Sequence, residues 1–364
     1  MNLIYHISLF IGTVQLLFWL STYFLRKGIK ESETYGTTTL EPLTVIISAR
    51  NEAHNLSTFL PHILSQDYPD FEIIVINDDS TDHSFEVLDH FMAQYHNLRV
   101  IHMQNKDREG KKQGLQEGIK QAKYEWLVFT DADCYPKSNQ WLRLLAAKCN
   151  DKTDIILGYS PYQKENGCLN DFIRYETFMT AVIYGTFTQL GMPYMGVGRN
   201  MAYRKSRFLE KVDKEKFEKI SFGDDDIAVN AMATCQNTAL QFTEKAMVMS
   251  LPKATLPDFI KQKTRHISSS AYYKSNHQWL LSLLAISQAI FYPFLFFLVF
   301  YNTQAAIYLF IFRLAIFLPN SILLMRKMEC KDLIHKAILM DFLFFLYYWY
   351  VSFRWISTKK ISWN

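Results

Sequence analysis

Long apolar runs occupy both ends of the chain, and short runs alternating with amphipathic stretches fill its middle. Residues 3–25 are apolar for about 23 positions, enough for a helix to span a hydrocarbon core of roughly 30 Å. No basic residue precedes this run and no small-x-small site follows it, so an uncleaved anchor is expected, not a signal peptide. Residues 279–301, 305–325 and 337–356 are three further expected spans. Between the ends, 43–47, 72–76, 98–101, 126–129 and 155–158 read as strands, and 55–66, 84–95, 112–121 and 139–147 as helices. That alternation predicts an α/β fold with a mostly parallel sheet and helices on both faces, whose ligands sit beyond the carboxyl ends of the strands. Residues 171–190 form an amphipathic pattern, with Phe172, Tyr175, Met179, Val182 and Ile183 near one side. A core or interface helix is expected there, with a membrane-surface helix as the second reading.

Composition supports a membrane chain: 15% of the residues are aromatic, including 28 Phe and 21 Tyr. The net charge of +4 is scattered, with no basic stripe to bind nucleic acid. Arg26, Lys27 and Lys30 follow the first apolar run, and Arg326, Lys327, Lys331 and Lys336 separate the last two. The positive-inside rule therefore puts both segments in the cytoplasm and the N-terminus outside. On that count Lys359 and Lys360 would fall outside, so the final crossing is the weakest of the four. Arg313 and Asp341 lie inside apolar runs, where a charge is costly and faces other helices or an aqueous path. The five cysteines have no paired spacing and read as reduced thiols, neither a disulfide framework nor a zinc site.

The chemistry-bearing residues cluster at the predicted strand ends. Ser48-Ala49-Arg50-Asn51-Glu52 follows the first strand, Asn77-Asp78-Asp79-Ser80-Thr81-Asp82 the second, and Thr130-Asp131-Ala132-Asp133 the fourth. Side chains two apart on a strand share a face, so Asp131 and Asp133 converge, as a hard divalent cation on a diphosphate requires. Gly110-Lys111 opens the third helix, where a lysine neutralises phosphate charge, and Gly114 and Gly118 allow close backbone approach. Farther on come Gly198-Arg199-Asn200-Met201-Ala202, the triple acid Asp224-Asp225-Asp226, and Gln262-Lys263-Thr264-Arg265-His266.

In order and approximate spacing, these motifs over residues 40–270 resemble a family 2 glycosyltransferase of GT-A fold. The resemblance implies that Ser48, Arg50 and Glu52 hold the nucleoside, and that Asp78 and Asp79 accept from the uracil N–H, with Asp79 the preferred reader. Lys111 would meet the diphosphate, and Asp131 and Asp133 would hold Mg²⁺ or Mn²⁺. Cys134, a soft donor, is left to packing. The catalytic base falls in the triple acid: aligning on the acidic pair selects Asp225, and aligning on Ile227 selects Asp224. The stretch with Gln262, Arg265 and His266 resembles the Q-x-x-R-W motif of membrane-embedded members, with His266 in place of Trp. This weakens the aromatic platform that a long processive channel uses.

The expected organisation is an anchor at 1–27, a linker at 28–40, a GT-A catalytic domain at 41–250, an interface segment at 251–277 and C-terminal membrane helices at 278–357. The expected function is inverting hexosyl or N-acetylhexosaminyl transfer from a UDP-sugar to a hydroxyl of a membrane lipid or lipid-linked glycan. It would occur at the cytosolic face of the cytoplasmic membrane, with no nucleic-acid partner. A polysaccharide synthase is the alternative within the class; a nucleotidyltransferase and a non-catalytic nucleotide-binding scaffold are the alternatives outside it.

Overall fold

The structure, a computed structural model, describes residues 2–31, 40–104, 110–213, 217 and 223–357. In chain order the elements are α1 (Asn2–Glu31), β1 (Leu43–Ala49), α2 (Ala53–Leu64), β2 (Phe71–Asp78), α3 (Ser84–Met92), β3 (Leu98–Met103), α4 (Lys112–Gln121), β4 (Trp126–Asp131) and β5 (Cys134–Pro136). They continue with α5 (Trp141–Ala146), β6 (Ile155–Gly158), α6 (Cys168–Gln189), β7 (Met201–Arg204), α7 (Lys205–Lys211), α8 (Asp224–Met232), β8 (Thr238–Gln241) and β9 (Val248–Ser250). The last four helices are α9 (Leu256–Ser269), α10 (Ser275–Tyr301), α11 (Thr303–Met325) and α12 (Ala337–Ser357). Most of the expected linker, and Lys359 and Lys360, lie outside the described residues.

One compact unit comprises residues 29–163 and 191–252. Its seven-stranded sheet runs β3-β2-β1-β4-β7-β6-β8 among the described residues. The β-branched runs Val45-Ile46-Ile47 and Ile73-Ile74-Val75-Ile76 suit a sheet covered on both faces. Leu43, Val45 and Ile47 pack with Leu56 and Leu60 of α2, Leu88 of α3 and Leu142 and Leu145 of α5. The alternate residues face α4, and the two glycines of that helix make the approach possible. A Cβ on Gly114 would sit 2.6 Å from Ile76 Cγ2, and one on Gly118 2.9 Å from Ile76 Cδ1. The close approach read from these glycines is therefore to the sheet.

The five expected strands are present, and β1 pairs in parallel with β2 and β4. The short strands were not anticipated. β7 runs antiparallel to both β4 and β6, while β5 and β9 form a separate two-stranded ribbon. Strands of three or four residues carry too few alternations to register as a period of two.

The second unit comprises 1–28, 164–190 and 253–361. Among the described residues, four helical segments are long and apolar enough to cross a membrane: Leu3–Ile29, Ser275–Tyr301, Thr303–Met325 and Lys331–Arg354. The segment expected as a core or interface helix, α6, is a core helix, buried on nearly all sides and not on one stripe alone. Its charged residues are matched within the unit, which the sequence pattern does not reveal. Arg174 donates both Nη atoms to Asp332 at 2.8 Å, Lys336 reaches Asp171 at 2.6 Å, and Glu176 pairs with Lys263 of α9. The two intramembrane charges also find each other. Arg313 of α11 grips Asp341 of α12 at 2.6 and 2.8 Å, and Tyr292 Oη of α10 donates to the same carboxylate at 2.6 Å.

Removing one partner strands the other in an apolar interior, so Arg313→Met should destabilise the helical unit by about 3–5 kcal/mol. The double variant Arg313→Met/Asp341→Leu should recover much of the loss, as read by thermal inactivation in nanodiscs. Equal loss in the single and double variants would remove the pair from the stability of this unit.

Candidate active site

The carboxyl ends of β1, β2 and β4 form one edge of the sheet, and their register brings the stations together. Ser48 is level with Asp131 across β1 and β4, and Ala49 with Asn77 across β1 and β2. The turns beyond β1 and β2 are stitched to each other. Asn51 N–H donates to Ser80 Oγ at 2.9 Å, Thr81 N–H to Asn51 Oδ1 at 2.8 Å, and Ala53 N–H to Asp82 Oδ2 at 3.0 Å. Asn51 and Asp79 both adopt positive φ, 57° and 56°, the left-handed turn geometry that Asn and Asp tolerate. Asp82 is the structural member of its run. Burial opposes its charge, but bonds from the Ser84 hydroxyl and from the Ala53 and Ser84 amides hold it below the usual carboxylate range. Asp78 is buried at the end of β2, while Asp79 and Arg50 are exposed on the turns and Glu52 caps α2.

A cleft beside this edge is lined by Ser48, Lys111, Asp131, Gly198, Asp224 and Asp225 among others. Lys111, at the start of α4, is the cation between the acids: its Nζ lies 3.2 Å from Asp224 Oδ2 and 3.7 Å from Asp131 Oδ1. Burial lowers its proton affinity, yet the carboxylates of Asp224, Asp131 and Asp225 outweigh this and hold the ammonium charged. Gly223, with φ of 69°, opens α8, whose first turn carries the three acids. Asp225 Oδ2 accepts from the Gly198 amide at 2.8 Å and Oδ1 from the Asp226 amide at 3.0 Å. Burial and the neighbouring Asp224 still raise its pKa, against Lys111 and those two amides. A carboxylate held in place with its proton affinity lifted is what a general base requires.

Three donor atoms of Asp131, Asp133 and Cys134 lie within 4.8 Å of one another. The Cys134 thiol is buried, and burial and the two aspartates push its pKa well up. It remains a thiol, donating to Asp133 Oδ1 at 3.2 Å, so the donor set that fits an ion is the hard carboxylate pair.

Three residues organise this site: Gly198 and Asn200, which the sequence motif contains without a role for either, and Lys112, which sequence reasoning passed over. Gly198 contributes only a backbone amide, which no side-chain pattern signals. Asn200, fully buried, accepts from Trp141 Nε1 at 3.0 Å and donates to the carbonyls of Tyr159 and Ala246 at 2.8 and 2.9 Å. Lys112 donates to the Phe217 carbonyl at 2.8 Å and lies 4.6 Å from the centre of its ring. Phe217 in turn meets Phe208, which stacks on Tyr203, itself stacked on Phe129 of β4. Gln262, Arg265 and His266 belong to α9 of the helical unit, His266 exposed and the other two half-buried.

Residues 44–208 match the family model for glycosyl transferase family 2. The glycosyltransferase GlyG of Streptococcus pneumoniae is 32% identical over 139 residues, 38% of this chain and 46% of that protein. The poly-beta-1,6-N-acetyl-D-glucosamine synthase of Staphylococcus epidermidis is 35% identical over 94 residues, 26% of this chain and 22% of that protein. The chain thus spans about half or less of the curated relatives it matches. The fold is similar to that of the mannosyltransferase PcManGT from Pyrobaculum calidifontis, solved with GDP-Man and Mn²⁺. The TM-score is 0.52 at 16% identity, covering 92% of this chain and 99% of that one. The seven-stranded sheet and the likeness to the mannosyltransferase define a GT-A-like fold, and the match to the glycosyl transferase family 2 model falls on residues 44–208.

Two outcomes follow from this geometry. Asn200→Ala takes the partner from the buried Trp141 indole N–H and Ala246 carbonyl and one of the donors from the Tyr159 carbonyl, and should cost on the order of 3 kcal/mol in thermal or denaturant melts. Burial lowers the Lys112 pKa from 10.5 to about 8. The unfolded chain therefore binds more protons between those values, and stability from this group rises as pH climbs through that window. Lys112→Met should remove that slope when unfolding is measured against pH; an unchanged slope would contradict the burial of the ammonium.

Proposed function

We propose that this chain is a membrane-anchored inverting glycosyltransferase, moving a sugar from a UDP-activated donor to a hydroxyl of a membrane lipid or lipid-linked glycan at the cytosolic face of the cytoplasmic membrane. The observation that carries the reading is Asp225: a half-buried carboxylate with raised pKa, clamped by the Gly198 amide, in one cleft with Asp131 and Lys111. Asp225 takes the proton of the acceptor hydroxyl as its oxygen bonds to the anomeric carbon. The bond from that carbon to the diphosphate breaks on the opposite side, and UDP leaves with the electron pair. Asp224 holds Lys111 in position, and Lys111 meets the charge that grows on the departing phosphate. Asp131 and Asp133 would hold Mg²⁺ or Mn²⁺, which would supply Lewis-acid stabilisation of the same charge. Ser48, Arg50 and Glu52 frame the nucleoside, and Asp78 and Asp79 read the base. Gln262, Arg265 and His266 are proposed to grip the diphosphate or the acceptor.

The donor class is supported by the named activity of the N-acetylglucosamine synthase relative, and metal use by the Mn²⁺ of the mannosyltransferase complex. The same synthase supports a second reading, repeated transfer to a growing polymer. The four apolar helices, with basic residues after the first, support the membrane location and orientation.

The test is UDP release by detergent-purified protein across a panel of UDP-sugars, with Mn²⁺ or Mg²⁺, with and without extracted membrane lipid. Asp225→Asn should lower kcat on the order of 10²–10⁴-fold with UDP affinity kept, whereas Asp131→Asn should lose both turnover and metal response. Because the base acts deprotonated, kcat/KM should fall on the acid side through the Asp225 pKa, above the ordinary carboxylate value of 3.8. Failure of the wild-type protein to bind any UDP-sugar would sink the reading.

A further inference from the structure

The segment Gly198-Arg199-Asn200 is held more firmly than its one assigned contact to Asp225 requires, and its middle residue has no role in the steps above. The guanidinium of Arg199 lies over the ring of Tyr162, 4.5 Å from its centre, and Nη2 makes a long 3.4 Å bond to the Ser160 carbonyl. Its other terminal nitrogen, Nη1, is buried and has no hydrogen-bond partner among the described residues. A buried charged donor left unpaired is costly, so a native site that keeps one has a use for it.

The surroundings narrow that use. Arg199 is within electrostatic reach of Asp133 and Asp131, and burial, which lowers its proton affinity, is outweighed by the surrounding groups, those two carboxylates included. It is absent from the lining of the cleft that holds Lys111, the cation whose Nζ lies 3.7 Å from Asp131 Oδ1. The peptide before it bonds the carboxylate that receives the acceptor proton. A guanidinium fixed on a ring presents a planar fork whose geometry matches the oxygens of a phosphate.

We propose that Arg199 is a specificity-determining residue that binds a phosphate on the acceptor, close to the hydroxyl that receives the sugar. The inference rests on the acceptor side assigned to Asp225 in the glycosyltransferase reading. A neutral acceptor leaves Nη1 buried and unpaired, and a phosphorylated one satisfies it. Selection against the neutral form thus follows from the cost of the unmade bond. The competing role is that of a plain counter-ion for Asp131 and Asp133.

Binding to the full chain in nanodiscs separates these, with farnesyl phosphate and farnesol as probes and UDP with Mn²⁺ measured in parallel. Wild type should prefer farnesyl phosphate by about tenfold or more, the scale of one charge-assisted pair. Arg199→Met should erase that preference with UDP affinity unchanged, and Arg199→Lys, which keeps the charge without the fork, should retain part of it. If Arg199→Met does not fold, Tyr162→Leu frees the guanidinium from its ring and should reduce the preference several-fold. A preference retained in Arg199→Met, or absent from wild type, would overturn the proposal. So would a loss of UDP affinity as large as that for farnesyl phosphate, since the phosphate would then be the donor's. Tighter Mn²⁺ binding alone in Arg199→Met would identify a counter-ion and also overturn it. These readings need no turnover, so a wild type that fails to bind UDP would count against the transferase reading without touching the farnesyl comparison.

Discussion

A single buried amide holds the site together. Asn200 uses its side-chain oxygen and nitrogen to join α5, the exit of β6 and the residue before Met247, while its own carbonyl accepts from Gly158 N–H at 2.9 Å. The approach is so close that a Cβ on Gly158 would fall 2.6 Å from that carbonyl oxygen. Because both ends of the amide are used, the segment ahead of β7 has one conformation available to it. Gly198 can then present its N–H to Asp225, and Arg199 its guanidinium to Tyr162. Asp225 is thus oriented through packing two residues away from the contact itself.

On that scaffold the charges arrange themselves by distance. Asp131 ends β4 and Asp224 begins α8, so two elements far apart in sequence deliver carboxylates to one ammonium, that of Lys111. Burial and Asp224 raise the Asp225 pKa above the ordinary carboxylate value, while the Lys111 ammonium favours the ionised form and acts the other way. A raised pKa makes a carboxylate the stronger base.

Much of this was legible before any coordinates. The strand-end positions of Ser48, Asp78 and Asp131 follow from apolar runs of four to six residues, which the sequence displays openly. The carboxylate pair and the triple acid announce themselves by residue type. What stayed hidden has physical causes. The amide of Gly198 has no side chain to signal it, and β7 is too short for its alternation to show. The embrace of Arg313 by Asp341 joins residues 28 positions apart, and nothing in either apolar run identifies the other. For α6 the expected core or interface helix is present, but the extent of its burial was hidden because salt bridges with distant residues satisfy its charged groups, so polarity in the sequence did not mean exposure to water.

That helix has a consequence for how the chain is made. The helical unit is assembled from three stretches of sequence, and α6 leaves the ribosome well before α9 and α12, whose Lys263, Phe259, Phe344 and Tyr347 cover it. For the time it takes to synthesise more than 150 further residues, from Gln189 to Phe344 and Tyr347, the part of its apolar surface that α12 covers has no final partner. A nascent chain arrested before α12 would therefore be a client for chaperones or proteases. Truncation before the last apolar helices would likewise deliver a fragment with part of that surface bare.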